Sequence, residues 1–315
     1  MFIRKKKIVG RTQFYLEHSF RLPDGRIKKI SKYIPTIEKG IIKKHELFFQ
    51  KAEEDVLINF ARKYYTKDNI FNENSIEKLE RIRLDYKKLI KKLTKTQFQD
   101  ILDRFTVNFT YESNAIEGNS LTLKDVAIII HENVSIKGKN LREIYETINA
   151  RKAVDLIFKK KFRITEKSII ELHSILVKNT GVKTGYKTLP NFLLTRKTRT
   201  TPPEKVAEEM GKLIDWYNSE KNIHPLKKAA IFHGRFEKIH PFEDGNGRVG
   251  RMLINIMLIN SGYPQLIIRK TQRIAYFSAL EASDSGHFEK LEWFLVEKFK
   301  DTYRNFFEVY IKYLK

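Results

Sequence analysis

Residues 2 to 35 contain stretches in which apolar and polar positions alternate, Gln13-Phe-Tyr-Leu-Glu-His-Ser-Phe and Lys28-Lys-Ile-Ser-Lys-Tyr-Ile, and these read as strands, because successive side chains of a strand point to opposite faces. Pro23-Asp-Gly-Arg between them has turn chemistry and Pro35 closes the segment, which predicts a small antiparallel β-element. From Glu38 the period changes. Over about 38–65 and 75–93 apolar residues recur three and four apart between Lys and Glu, the pattern of amphipathic helices. Helix then follows helix, over about 97–112, 122–132, 140–160, 165–178, 203–219, 225–239, 248–260, 272–283 and 288–313. Thr122 with Asp125, Thr165 ahead of Glu-Lys-Ser, and Pro202-Pro203 ahead of Glu204 supply helix starts. Thr184 to Thr200 breaks the helical period with Gly185, Pro190, Phe192, Leu193 and Leu194 among basic residues, which predicts a short hairpin projecting from the bundle. The expected fold class is mainly α, a helical bundle with a short β-hairpin, preceded by the β-element and amphipathic helices. The change of pattern divides the chain into an N-terminal region, 1–95, and a helical domain, 96–315.

Length and composition narrow the class. A chain of 315 residues with 41% hydrophobic and 31% charged residues can bury a substantial core and is not disordered. It has no cysteine, which excludes disulfide scaffolds, thiolate metal sites and cysteine nucleophiles. Met1-Phe-Ile leads into Arg4, Lys5, Lys6 and Lys7 without an apolar stretch behind them, so no secretory signal is read and a cytoplasmic location is expected. Met252 to Ile268, the longest uncharged run, is interrupted by Asn255, Asn260, Ser261, Gly262 and Pro264. It reads as a buried helix with its exit turn, and no membrane partner is expected.

The net charge is +23, which raises nucleic acid as a partner. The excess lies in residues 1–50, with 13 basic and 4 acidic groups, and in 151–200, with 13 and 3. Lys outnumbers Arg roughly two to one and stands singly among Ile, Asn and Tyr, unlike an Arg-rich strip that grips phosphates. A solvated lysine-rich surface is the favoured reading.

Folding economy does not explain one segment, Ile239-His240-Pro241-Phe242-Glu243-Asp244-Gly245-Asn246-Gly247-Arg248-Val249-Gly250-Arg251. Two glycines flanking Asn246 allow backbone amides to converge, and the following helix points its positive dipole end at the loop, so the loop is an anion cradle. Arg248 and Arg251 lie three apart on the first turn and can both face a phosphate chain. Asp244 supplies the hard oxygen that Mg²⁺ prefers when phosphate oxygens and waters complete its shell. His240 is the side chain there whose ordinary pKa suits a general base near neutrality. Together they read as nucleotide-phosphate chemistry. The bland alternative is a helix-loop-helix corner with capping glycines. His233 and His240, seven apart, have no third ligand beside them, so no zinc site is read. Trp216, Trp293 and the run Phe299, Tyr303, Phe306, Phe307, Tyr310 and Tyr313 are expected to be packing.

These residues resemble the signature of the Fic family, His-x-Phe-x-Asp/Glu-Gly-Asn-Gly-Arg-x-x-Arg, at every specified position. Upstream, Ser113-Asn-Ala-Ile-Glu117-Gly118 is similar to the family's inhibitory motif, and Glu146 to Ala153 to a helix of its core. Thr201-Pro-Pro-Glu-Lys-Val and Pro225-Leu-Lys-Lys-Ala-Ala-Ile-Phe-His resemble the approach to the signature, and Gly262-Tyr-Pro with Tyr276-Phe-Ser-Ala-Leu its exit. The resemblance covers about residues 95–290.

It implies a Fic-type bundle and a transferase that moves AMP from ATP, its substrate, onto a Tyr, Thr or Ser hydroxyl of a target protein, with Mg²⁺ as cofactor. By position, His240 would be the base and Asp244 the metal ligand. Gly245, Asn246, Gly247 and Arg248 would cradle the phosphates, and Arg251 would pair with the γ-phosphate. Phe242 would pack inward and orient the loop. The hairpin with Phe192, Leu193 and Leu194 would be a flap that pairs with an extended target segment; Lys187 stands where many relatives have Arg. Glu117, with Ser113 and Gly118, would occupy Arg251 and silence the resting enzyme, or orient a water for AMP removal. The target can be the chain itself, and a second copy is a partner the reading allows. Other readings are a different phosphoryl or phosphodiester transfer on the same scaffold, against which the intact Gly-Asn-Gly-Arg argues, and a basic nucleic-acid or regulatory binding protein with an idle core.

Overall fold

The alternating N-terminal segment folds as three antiparallel strands, β1 (Phe2–Ile8), β2 (Arg11–Arg21) and β3 (Ile27–Ile34), in the order β1-β2-β3. The structure is a computed structural model that describes residues 1–9, 11–132, 134–159, 162–191 and 199–313. Strand β1 is the one that the sequence pattern hides, because consecutive cations mask its alternation; lysines are well tolerated on an edge strand. Ile3 pairs with Leu16 and Leu16 with Lys32, so Ile3, Phe14, Leu16, Ile30 and Ile34 share one face. That face packs on Ile41 and Phe49, from α1 (Ile41–Lys44) and α2 (Glu46–Tyr64). Leu22, Leu57, Ile58 and Leu84 form a second cluster. The expected single helix over 38–65 is thus a short turn and a long helix.

The chain divides into two compact units, Met1–Leu84 and Asp85–Lys315; α3 (Glu73–Lys92) spans the division. The second unit contains α4 (Lys95–Ile116), α5 (Leu123–Glu132), α6 (Leu141–Lys159), α7 (Glu166–Leu176), α8 (Val206–Ser219), α9 (Pro225–Ile239), α10 (Asn246–Asn260), α11 (Arg273–Asp284), α12 (Glu289–Thr302) and α13 (Glu308–Tyr313). Capping boxes start α4 at Thr94 with Gln97 and α7 at Thr165 with Ser168. Thr122 and Asp125 exchange backbone and side-chain hydrogen bonds of the same kind ahead of α5. Helix α10 is buried on all sides, with Val249, Leu253, Ile256 and Leu258 in the core, as expected of a central helix, and α7, α9 and α4 pack on it. Gly250 lets α9 approach, because a Cβ there would stand 2.7 Å from His233 Cε1 and 2.9 Å from Glu237 Oε1.

The C-terminal helix expected over 288–313 is interrupted by a π-turn at Tyr303–Phe307. Phe299 and Phe307 are buried, but Trp293 is 58% and Tyr313 84% exposed, which corrects the reading of all these aromatics as packing. Of the hairpin expected at Thr184 to Thr200, the described residues 184–191 and 199–200 form no strand, and Phe192, Leu193 and Leu194 lie outside the described residues. No helix among the described residues is long and apolar enough to cross a membrane.

Candidate active site

Helix α9 ends at Ile239, and His240 closes it in the left-handed region at φ 50°, with its N–H donating to Phe236 O at 2.9 Å. A non-glycine residue there is uncommon. On the helix before it, His233 Nε2 lies 2.6 Å from Tyr276 Oη. The His240 imidazole has Nδ1 3.7 Å from Glu237 Oε2.

The next five residues form a loop held from both ends. Phe242 N–H donates to Asn246 Oδ1 at 2.9 Å and Asn246 Nδ2 donates to Phe242 O at 2.8 Å, so the Asn side chain imitates a backbone pair across the turn. The Phe242 ring is fully buried and stacks on His173 of α7, with centroids 3.8 Å apart and planes 3° apart. His173 Nε2 stands 3.0 Å from Asp244 O; a carbonyl accepts, so this nitrogen carries the proton. Burial first, and then the Arg248 charge, push this imidazole down to about 4 despite the Asp244 carbonyl. His173 is thus a neutral wedge that fixes the loop.

Gly245, at φ 85°, is the N-cap of α10, and no side chain caps the first turn. The helix therefore begins at Asn246, earlier than the sequence pattern indicates, and its unsatisfied N–H groups face the loop. Gly247 is required by proximity: a Cβ there would lie 2.2 Å from Glu117 Oε1 and 2.9 Å from Arg251 Nη1. Arg248 and Arg251 are both buried but have different partners. Arg248 Nη1 lies 3.1 Å from Glu146 Oε1 and Nη2 3.6 Å from Asp244 Oδ1. Arg251 Nη2 lies 2.7 Å from Glu117 Oε1, donates to Ser113 O at 2.8 Å, and Nε donates to Ser113 Oγ at 3.0 Å. Burial would lower the Arg251 pKa, but Glu117, Tyr276 and Glu237 outweigh it and hold it above its ordinary value.

Glu117 reaches this point because α4 runs on to Ile116, one turn past the expected end, with Glu117 as C-cap and Gly118 following at φ 99°. Asn119 N–H turns back to Asn114 O at 3.1 Å, satisfying a carbonyl of the last turn.

Sequence reasoning missed the part played by α6. Arg142 bonds to the Asp244 carboxylate and reaches Glu146 Oε1 at 3.3 Å, while Asn119 Nδ2 donates to Glu146 Oε2 at 3.0 Å. Burial would raise the Asp244 carboxyl, but Arg248, the Gly245 N–H and Arg142 hold it below the usual carboxylate range. The signal available was the likeness of Glu146 to Ala153 to a core helix, which does not reveal its partners. Lys187 is the other addition. Its buried Nζ donates to Asn191 Oδ1 at 2.8 Å, Thr200 Oγ1 at 3.0 Å and Ile239 O at 3.4 Å, and burial lowers its pKa to about 8. It ties both ends of the expected flap to the residue before His240.

The donor set fits Mg²⁺ to the extent the sequence reading required: one ionised carboxylate, Asp244, on the rim of an amide cradle, which suffices where phosphates supply the other oxygens. Among the described residues no group of three His, Asp or Glu is gathered to hold a metal by itself.

Residues 163–258 match the model of the Fic/DOC family. The chain is similar to Protein adenylyltransferase Fic of Drosophila willistoni, 33% identical over 201 residues, which cover 61% of this chain and 40% of that protein. It is similar to Protein adenylyltransferase fic-1 of Caenorhabditis briggsae, 31% identical over 185 residues, or 56% of this chain and 36% of the relative. The chain thus spans roughly two-fifths of the length of the curated relatives it matches. Among solved structures, a Fic family protein from Desulfovibrio desulfuricans G20 superposes with a TM-score of 0.67 at 26% identity, over 78% of this chain and 76% of that one. The signature loop and the helices α7, α9 and α10 around it lie within the residues that match the Fic/DOC family, and there the chain is similar to proteins of that family.

Proposed function

We propose that the Asp85–Lys315 unit is a protein adenylyltransferase that moves AMP from ATP to a Tyr, Thr or Ser hydroxyl, and that Glu117 restrains it. The observation that carries this reading is the Glu117–Arg251 pair, 2.7 Å apart beside the open N-terminus of α10. A buried arginine aimed at an amide cradle is a phosphate partner, and here a carboxylate of the same chain stands in for the phosphate.

The reaction follows from the placement of groups. ATP lies with its phosphates on the amides of Gly245 to Arg248, and Arg248 and Arg251 hold the triphosphate so that its α-phosphorus faces His240. The target hydroxyl gives its proton to His240, whose Nδ1 side is turned toward Glu237, so Nε2 receives it. The hydroxyl oxygen bonds to the α-phosphorus as the bond to the β-phosphate oxygen breaks, and pyrophosphate leaves with that electron pair. Asp244 would hold Mg²⁺, which when bound offsets the charge on the phosphates. With Glu117 on Arg251, the γ-phosphate lacks its partner and ATP is held out of line. The target is another protein or the chain itself.

The test is the intact mass of Glu117→Gly protein after incubation with ATP and Mg²⁺, with His240→Ala in the same background. Gain of AMP units that the His240 variant abolishes supports the reading. Gain of phosphate units would replace it with a kinase-like transfer. No gain with the chain as its own acceptor moves the assay to added protein acceptors, and no label there defeats the proposal.

A further inference from the structure

The N-terminal unit presents a second chemistry that the transferase reading does not use. Because Leu16 and its even-numbered neighbours in β2 turn toward α1 and α2, the register sends Phe2, Arg4 and Lys6 of β1, the odd residues of β2, and Lys29 and Tyr33 of β3 to the opposite face. On that face Phe2 is 49% and Tyr33 53% exposed. The rings gather on it. Tyr15 and Tyr33 sit on adjacent strands with centroids 5.7 Å apart, and Lys6 Nζ stands 4.5 Å over the Tyr15 ring.

The cations are fixed in place. Glu17, 1% exposed, accepts a hydrogen bond from Lys29 at 3.0 Å and lies 3.6 Å from Arg4 and 3.9 Å from Lys6. Burial would raise its carboxyl, but Lys29, Arg4 and Lys6 hold it below the usual range, so it stays ionised and orders three long side chains that otherwise lose rotamer entropy on binding. Arg11 and Arg21, also odd positions of β2, add positive charge at its two ends. One carboxylate among five cations leaves the face strongly positive.

From this juxtaposition we propose that the outer face of the three-stranded sheet binds single-stranded nucleic acid, its phosphates on the cations and its unpaired bases stacked on Phe2, Tyr15 and Tyr33. Rings set among ordered cations, exposed at Phe2 and Tyr33 and half-buried under the Lys6 side chain at Tyr15, suit unpaired bases, which offer flat π faces that a duplex hides. Strands of this length span about 25–35 Å, room for several nucleotides. The inference does not depend on the adenylyltransferase reading and fails or stands separately from it.

The test is fluorescence anisotropy of the full chain with labelled oligothymidylate and oligouridylate of about 20 nucleotides, beside a duplex of equal length and phosphatidylserine vesicles. Expected are tighter binding to the single strands than to duplex, weakening as salt rises, and at least a tenfold loss in Tyr15→Ala/Tyr33→Ala. Should that double variant fail to fold, Phe2→Ala, at an exposed strand end, is expected to weaken binding severalfold with an unchanged melting curve. No single-strand binding at low salt overturns the proposal. So does equal binding of duplex with less than a twofold effect of the ring substitutions, which is charge alone, or binding to vesicles in place of oligonucleotides, which is a membrane-facing surface.

Discussion

Glu117 Oε1 stands 2.7 Å from Arg251 Nη2, and the same guanidinium donates to both the hydroxyl and the carbonyl of Ser113. The two Ser113 bonds place the arginine, and Glu117 shares its Nη2 with the Ser113 carbonyl. Removing the carboxylate therefore frees the charge without unseating the side chain. In a His240→Ala background, which prevents turnover, Glu117→Gln is expected to bind ATP at least about tenfold more tightly, because a hydrogen bond to a charged group contributes about 1.5–3 kcal/mol. Calorimetric titration with ATP checks this, and equal affinities would show that the pair does not compete with the nucleotide.

Gly250 is a packing glycine in mid-helix. A methyl there meets the His233 ring and the Glu237 carboxylate below 3.0 Å, and neither can withdraw from the buried contact between α9 and α10. Gly250→Ala should destabilise the chain by about 1–3 kcal/mol, although alanine is the better helix former. A lower urea midpoint at unchanged m-value is the expected readout.

His173 makes stability depend on pH with a defined sign. Its folded pKa of about 4 lies below the ordinary 6.5, so below 6.5 the unfolded chain takes up a proton that the folded chain refuses until about pH 4. Stability therefore falls as pH drops through that window, by about 3 kcal/mol at 1.4 kcal/mol per unit. His173→Phe keeps a ring against Phe242 and removes the titration. The difference in unfolding free energy between wild type and variant should narrow as pH falls from 6.5 to 4; parallel curves would contradict the neutral-wedge role.

Arg142 covers the carboxylate assigned to the metal. Arg142→Ala leaves Asp244 paired with Arg248 and open to a cation. With ATP bound, Mn²⁺ as a probe should then associate severalfold more tightly by electron paramagnetic resonance, and Asp244→Ala should remove the site in either background. An unchanged Mn²⁺ affinity would mean that Arg142 and the metal do not share the oxygen.

The helices, two of the strands and the loop from His240 to Arg251 were legible in the sequence because their causes are local. Apolar spacing sets the period, Thr122 and Thr165 begin their helices with side chains three residues away, and Gly245 must occupy a left-handed turn wherever that turn lies in space. Strand β1 was hidden because Arg4-Lys-Lys-Lys offers no apolar alternation. The part played by α6 was hidden for a different reason, since nothing in Arg142 or Glu146 says which helix end they face.

Sequence alone thus determined which residues are candidates for the chemistry: the proposed base, the glycine-flanked turn, the carboxylate and the two arginines, all within one stretch of chain. Tertiary structure decided what each one is paired with. Whether Glu117 meets Arg251, Arg142 meets Asp244 or His173 lies flat on Phe242 depends on where one helix ends and how it is turned toward another. A change of one residue in register turns a side chain by about 100°, so a cap at Glu117 in place of the expected end near residue 112 decides the contact. The same holds for the sheet. Alternation marks two faces, and only packing on Ile41 and Phe49 determines that Leu16 turns inward and leaves Phe2, Tyr15 and Tyr33 on the outer face among lysine and arginine.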